Sequence, residues 1–175
     1  DDVISHVYKF KDGTGLTISM TFVDSGGHKT QHVYNQCRAR LQRRVFAIKG
    51  QGGDGVPYTK PPSKVKIVVN GQAIGQTWLY SIGVDAGKAD IMGALKVQEP
   101  GPKYCHFPKG VERGYDNAFF NGLLSEKLVM KTDRGRTRWA WEKLPGHERN
   151  EALDCRNYAL AAFRVLDPDM DRVEA

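Results

Sequence analysis

Three acidic residues stand where a carboxylate could do more than solvate a surface: Asp24, Asp85 and Asp154. Asp24 follows a stretch in which Leu16, Ile18, Met20 and Phe22 alternate with Thr17, Ser19 and Thr21, a period-two pattern that predicts a strand. Gly26-Gly27 and a helical segment come next. Asp24 therefore falls at the carboxyl end of a strand, the edge where α/β sheets gather their active sites, and the glycines let a ligand approach the backbone. The alternative is that Asp24 or Ser25 caps the following helix. Asp85 repeats the arrangement in Val84-Asp85-Ala86-Gly87. Its helix begins almost at once, so capping is the favoured role, with Asp85 a further acid near the site as the other. Lys88, three residues on, is placed to pair with Asp85 or with a phosphate.

Asp154 shares a helical face with Tyr158, Ala161 and Val165. A carboxylate on that apolar stripe points at the sheet, where leaving it unpaired is costly, and a metal ion or a cationic side chain would remove the cost. Glu151, one turn earlier, lies on the same side and could supply a second oxygen. The competing reading places Asp154 in a first turn, where an acid favours the helix dipole. Carboxylates converging from different elements make an oxygen-rich site suited to Mg2+ or Mn2+. Two such ions about 4 Å apart can activate water and stabilise the leaving oxygen in phosphodiester cleavage.

Other candidates are weaker. His28 and His32 are four residues apart, but no third soft ligand accompanies them, so a solvated helix face is the expectation over zinc. Lys49 ends a short strand before a Gly-rich loop, where it could touch a phosphate or be an ordinary surface lysine. Basic residues recur at Arg38 to Arg44, at Lys60 to Lys66, and at Arg134, Arg136 and Arg138, the last group beside Trp139 and Trp141. Phosphate contacts from such groups are sequence-independent and salt-sensitive; the alternative is a solvated basic edge strand.

The elements that must position these residues alternate. Val3 to Phe10 is a short amphipathic segment, and Asp12-Gly13 a turn. Helices are predicted over Thr30–Arg44, Lys88–Val97, Tyr115–Leu124 and Arg149–Leu166, the last the strongest. Strands are predicted over Leu16–Phe22, Val45–Ile48, Val65–Val69, Trp78–Val84 and Tyr104–Phe107. Asn70-Gly71 marks one hairpin, and Leu128–Lys131 with Thr137–Trp141 a second, basic one. Residues 51–63, with Gly52, Gly53, Gly55, Pro57, Pro61 and Pro62, form a loop. The pattern is that of an α/β layered domain with a mixed sheet.

The chain has 175 residues, which suits one domain, and 26 Lys+Arg against 20 Asp+Glu give a net charge of +6, which favours an acidic partner such as nucleic acid. No apolar run reaches the roughly 20 residues that span a bilayer, so no membrane partner is expected. Cys37, Cys105 and Cys155 lack CxxC spacing and are expected as reduced thiols. The chain opens on Asp1 rather than Met, as an excised piece of a longer protein would. It holds no G-x-x-x-x-G-K-[ST] phosphate loop.

Taken in order, Val23-Asp24-Ser25-Gly26-Gly27, Ala47-Ile48-Lys49-Gly50, Ile82-Gly83-Val84-Asp85 with Lys88, His106-Phe107-Pro108 and Asn150-Glu151-Ala152-Leu153-Asp154-Cys155 resemble the lambda-type terminase large subunit, the GpA family. The likeness runs from Gly15 to Leu166. It implies an RNase H-like nuclease fold in residues 1–166, a mixed sheet flanked by helices; residues 167–175 are expected, from their own composition, to be an acidic frayed tail. It also implies metal-dependent cleavage of double-stranded concatemeric phage DNA with Mg2+ or Mn2+, in the cytoplasm of the bacterial host. Terminase small subunit and portal protein are the implied partners. Asp24 and Asp154 match two of the three acids of that pattern, with Glu151 beside the third position. The first acid, in a Gly-[Ile/Val]-Asp-x-Gln segment, has no counterpart, so the chain is expected to lack the first strands of that fold and its ATPase domain. An open sheet edge would follow, to be covered by self-association or a partner. Two other readings stay open: a non-catalytic DNA-binding or assembly module, and a different RNase H-like nuclease such as a junction resolvase.

Overall fold

A computed structural model describes residues 1–133, 135–147 and 149–170. The chain divides into two compact units. The first comprises Asp1–Gly50, Thr59–Ile82 and the described residues from Ala161 on; the second comprises Gln51–Tyr58 and Gly83–Leu160.

The first unit opens with one helical turn, α1 (Asp2–Ser5), and a small hairpin of β1 (Tyr8–Lys9) and β2 (Gly15–Leu16). The turn between them is held by Asp12, whose carboxylate accepts from the Thr14 hydroxyl (2.7 Å) and backbone N–H (2.9 Å). Those two bonds hold its carboxyl below the ordinary carboxylate range. β3 (Thr21–Asp24), α2 (Thr30–Ala39) and β4 (Val45–Gln51) follow, then β5 (Ser63–Val69) and β6 (Gln72–Gly83).

These strands form a four-stranded mixed sheet in the order β3-β4-β6-β5. β3 pairs parallel to β4, with Asp24 opposite Ile48, and β5 pairs antiparallel to β6. The β5–β6 turn has left-handed backbone at Asn70 (φ 50) and Gly71 (φ 79), as Asn-Gly hairpins require. α2 packs on β3 and β5. Tyr34 and Cys37 face Val45, Ala47 and Ile67 there, and the last two are fully buried. A side chain such as Val45 or Ile67 contributes about 1.5–3 kcal/mol by leaving water, and the Ala47 methyl less. Burial also pushes the Cys37 thiol up to about 11, against a smaller opposing pull from Arg40.

The second unit holds α3 (Val84–Ala94), α4 (Asn117–Leu123), a ribbon of β7 (Glu126–Asp133) and β8 (Arg136–Lys143), and the start of α5 (Glu151–Leu166). Its core is Ile91, Leu123 and Leu153 from the three helices, ringed by Phe107, Phe119 and Phe120. The Asp116 carboxylate accepts from the Phe119 N–H at 2.8 Å and caps α4.

The mixed sheet with a helix on it, both hairpins and the late helix agree with the sequence reading. Several elements differ. α3 begins at Val84 rather than Lys88, which puts Asp85 inside the helix, and β6 begins at Gln72 rather than Trp78. The alternating run Leu16–Phe22 is split, because Gly15–Leu16 pairs with β1 while Thr21–Asp24 pairs with β4. The helix expected to Arg44 ends at Ala39, and after a 3-10 turn Arg44 reverses the chain at φ 53. Tyr104–Phe107 is not a strand. Phe107 instead packs its ring against Phe120 (5.2 Å between centroids) and Tyr115 (5.8 Å), a cluster that binds the segment through side chains rather than a ladder. Arg134 and residues 171–175 of the expected tail lie outside the described residues.

Candidate functional site

The chemically richest cluster lies in the second unit and draws on three elements. Lys88 comes from the second turn of α3, Glu126 opens β7, and Asn150 and Asp154 flank the first turn of α5. The Lys88 ammonium sits 2.7 Å from Glu126 Oε2 and 3.9 Å from Asp154 Oδ1. The Asn150 amide donates to Glu126 Oε1 (2.8 Å) and to Asp154 Oδ2 (3.0 Å). Each carboxylate thus presents one oxygen to the ammonium and the other to the amide.

Lys88 and Glu126 are both 8 % exposed, so each would cost several kcal/mol to desolvate alone. Their contact offsets part of that cost. Asp154 is less enclosed, its side chain 33 % exposed, and opens the cluster to solvent. Two carboxylates against one ammonium give these three groups a net charge of −1. The hard oxygen donors suit Mg2+ or Mn2+, and Mg2+ is commonly held by only one or two protein carboxylates together with substrate phosphate. Among the described residues no group of three or more His, Cys, Asp or Glu is placed to hold a metal ion.

The local fold explains the placement. Ser125, buried, donates its hydroxyl to Gly122 O (2.8 Å), and its carbonyl accepts from Leu144 N (2.8 Å), so the chain turns sharply from α4 into β7 and delivers Glu126 inward. Asn157, one turn beyond Asp154, is fully buried. Its side-chain amide donates to Val84 O (3.0 Å) and its backbone carbonyl accepts from the Tyr58 hydroxyl (2.7 Å). A Cβ on Gly87 would collide with both side chains, so glycine there lets α3 come close beside Lys88.

Asp85 does not cap α3; the N-cap is Gly83, without a side-chain bond. Its Oδ2 accepts from the Gly53 N–H (2.9 Å) and so ties down the Gly-rich loop. Lys88 is paired with Glu126 rather than with Asp85.

In the first unit Asp24 ends β3, exposed, and its Oδ1 accepts from the Gly26 N–H (2.8 Å). Neither Asp24 nor Ser25 caps α2, whose N-cap is Lys29. Ser25 is buried and donates to Ile48 O (2.7 Å), which pins the turn to β4. Asp24 and Asp154 belong to different units. Glu151 is exposed at the first position of α5, and the groups beside Asp154 are Glu126 and Asn150 instead. His28, His32 and Lys49 are exposed in the first unit, and Arg136 and Arg138 are exposed on β8. Arg134, expected with them, lies outside the described residues.

Sequence reasoning missed Glu126. It lies between Ser125 and Lys127 with no period, motif or glycine to mark it, and its role comes from a lysine 38 residues away.

The family model for "Terminase large subunit gpA, endonuclease domain" matches residues 1–173. The chain is 32% identical over 169 residues to the terminase large subunit of Escherichia phage lambda. It is 32% identical over 171 residues to the terminase large subunit of Enterobacteria phage P21. Each alignment covers 94% of the chain and 25% of the relative, so the chain spans about a quarter of the length of these proteins. No solved structure matches.

Proposed function

Because the chain belongs to the endonuclease-domain family of the gpA-type terminase large subunits, we propose that it is the DNA-cutting part of a phage packaging enzyme, hydrolysing phosphodiester bonds of double-stranded concatemeric DNA with Mg2+ or Mn2+. The observation that carries the reading is the buried Lys88–Glu126–Asp154–Asn150 cluster. An RNase H-like arrangement is the fold we infer. In favour of it are Asp24 at the end of a strand paired parallel to its neighbour, and Asp154 on the late helix. Asp24 is the second acid of that arrangement and Asp154 the third.

Glu126 and Asp154 are the residues that would hold the metal ion. When bound, the ion supplies Lewis-acid stabilisation of the charge that develops on the phosphate oxygens. Lys88 aims the Glu126 carboxylate through its 2.7 Å contact with Oε2. Asn150 fixes the second oxygen of each acid, so neither carboxylate must rotate when a cation arrives. Exposed Arg136, Arg138 and Lys49 are suited to sequence-independent phosphate contacts. The cytoplasm of the host, and a small subunit and portal protein as partners, belong to the same proposal.

The test is nicking of supercoiled plasmid by the full-length protein with Mg2+ or Mn2+, alongside calorimetric titration of the metal into the 175-residue chain. Asp154→Asn is expected to slow nicking at least about 100-fold, as losing several kcal/mol of metal-ion stabilisation would, and to weaken metal binding. Unchanged cleavage and metal affinity in Asp154→Asn would sink the site. A second reading, a DNA-binding or assembly module without chemistry, is favoured by the lack of a three-acid group among the described residues. Salt-dependent DNA binding with no metal-dependent cleavage would establish it.

A further inference from the structure

The second unit also holds a cleft of about 260 Å³ between the Gly-rich loop, α3 and the β7–β8 ribbon. Trp139, Trp141 and Leu128 form one wall, Val56 and Ala86 another, and Asp54 and Asp85 supply the acids. The volume falls below the roughly 300–1,000 Å³ that holds a whole small-molecule ligand, and suits a single planar ring system.

The cleft is built rather than incidental. The Trp141 indole N–H donates to the Asp85 carbonyl (3.3 Å), and Gly53 N–H donates to Asp85 Oδ2 (2.9 Å). These bonds hold one ring and one carboxylate together and leave Asp85 Oδ1 with no hydrogen bond among the described residues. Gly53 reaches Asp85 with φ +127, a backbone that side-chain-bearing residues rarely adopt.

The ribbon beside the cleft is two-faced. Its register sets Leu128 opposite Trp141, and Met130 opposite Trp139, on one face. Lys131 opposite Arg138, with Lys127 and Arg136, lies on the other, together with Glu142, which pairs with Lys131 at 2.6 Å and leaves the face basic on balance. The apolar face stays open to solvent, with Leu128 at 44 %, Met130 at 65 % and Trp139 at 56 % exposure. A ligand is therefore wanted that is flat and aromatic, donates hydrogen bonds to a carboxylate, and trails phosphates toward basic side chains but not into the acidic cleft.

We propose that this cleft receives one unstacked nucleobase of a DNA strand, and that it selects a base with an exocyclic amino group. Indole rings stack on any base. A carboxylate accepts from the amino groups of cytosine, adenine or guanine, whereas thymine offers only its imide N3–H, flanked on both sides by carbonyl oxygens that a carboxylate repels. The acids repel phosphate and keep the backbone outside, where the basic face of the ribbon can meet it. Only the choice of DNA as the polymer rests on the function proposed above.

The test is fluorescence anisotropy of labelled deca-deoxycytidylate and deca-deoxythymidylate with the 175-residue chain, in EDTA at fixed salt. The cytidine strand is expected to bind at least about tenfold tighter, as one specific base contact provides. Trp139→Ala should weaken it about tenfold and Trp139→Phe only slightly, since a phenyl ring still stacks. Trp139 is exposed, so neither change removes core packing. Asp85→Asn keeps an acceptor for Gly53 but gains a donor for thymine O4, so the cytidine preference should shrink toward unity. Equal binding of the two strands, or no effect of Trp139→Ala, overturns the proposal. So does a dimer of the chain that Trp139→Ala dissociates without changing cytidine binding, which would make the face a protein contact. The assay contains no metal. Absent nicking with base preference intact therefore condemns the nuclease reading alone, and nicking without base preference condemns only the cleft.

Discussion

Asp24 and Asp85 begin from the same local sequence, Val-Asp, a small residue and glycine at the end of a strand, and finish differently. After Asp24 the chain spends five residues before α2 starts at Thr30. The carboxylate folds back on Gly26, two residues away, and stays in solvent. After β6 there is no such interval: α3 starts at Val84, so Asp85 projects from the first turn and finds Gly53, 32 residues away. The first unit keeps its acid local and exposed. The second recruits Asp85 to hold a loop and places Glu126 and Asp154 around a buried lysine. What separates the two is the length of chain before the next helix, which decides whether a carboxylate can satisfy itself locally.

The sharpest way to break this contrast is to remove the cation on which the second unit depends. Lys88→Met would leave Glu126 buried without its partner, and such a change costs about 3–5 kcal/mol. A urea unfolding curve of the chain should show the midpoint falling accordingly. Adding Glu126→Leu should recover most of the loss, because replacing both members of a buried pair with apolar groups is often neutral. A Lys88→Met loss under about 1 kcal/mol would mean that water already reaches the cluster, and the two units would differ less than the geometry indicates.

Much of the scaffold was legible in the sequence, for reasons that lie in short-range patterns. Asn70-Gly71 announces its hairpin because both residues tolerate positive φ. The α5 face of Tyr158, Ala161 and Val165 is helical by spacing; Ala161 is fully buried and the other two half-buried, while the most buried line runs through Leu153, Asn157 and Ala161. Asp154 could be singled out because a carboxylate beside such a stripe needs a partner. The identity of that partner could not, since Lys88 is 66 residues away and its place in the sequence pointed to Asp85 or a phosphate instead. The same limit hid Glu126 and Asn150. It also made Glu151 look like the second oxygen, because helical spacing counts neighbours in one helix and says nothing of what β7 brings in. Tyr104–Phe107 misled in the other direction: its aromatic composition suits a strand, but the rings are consumed by a cluster with α4.

A smaller effect probes the loop that Asp85 holds. Asp85→Ala removes a charge-assisted bond to Gly53 N–H, worth about 1.5–3 kcal/mol when buried and less at this half-exposed site. Amide exchange at Gly53 should accelerate while exchange in the first-unit sheet stays unchanged. Equal acceleration in both units would show that Asp85 supports the fold at large and not this loop alone.

The smallest stability change is expected at Asp24, and it is the most informative about function. Its carboxylate is exposed, bonded two residues away and absent from the cap of α2, so Asp24→Ala should move stability by no more than about 0.5 kcal/mol. An acid that contributes so little to the fold, at the carboxyl end of a strand beside two glycines, is where a site can hold a charge for a substrate rather than for itself. If Asp24 takes part in metal-dependent cleavage, plasmid nicking by the full-length Asp24→Ala protein should fall at least about 100-fold with the unfolding curve unmoved. Intact nicking would make Asp24 a turn residue, and would leave the chemistry to the buried cluster of the second unit.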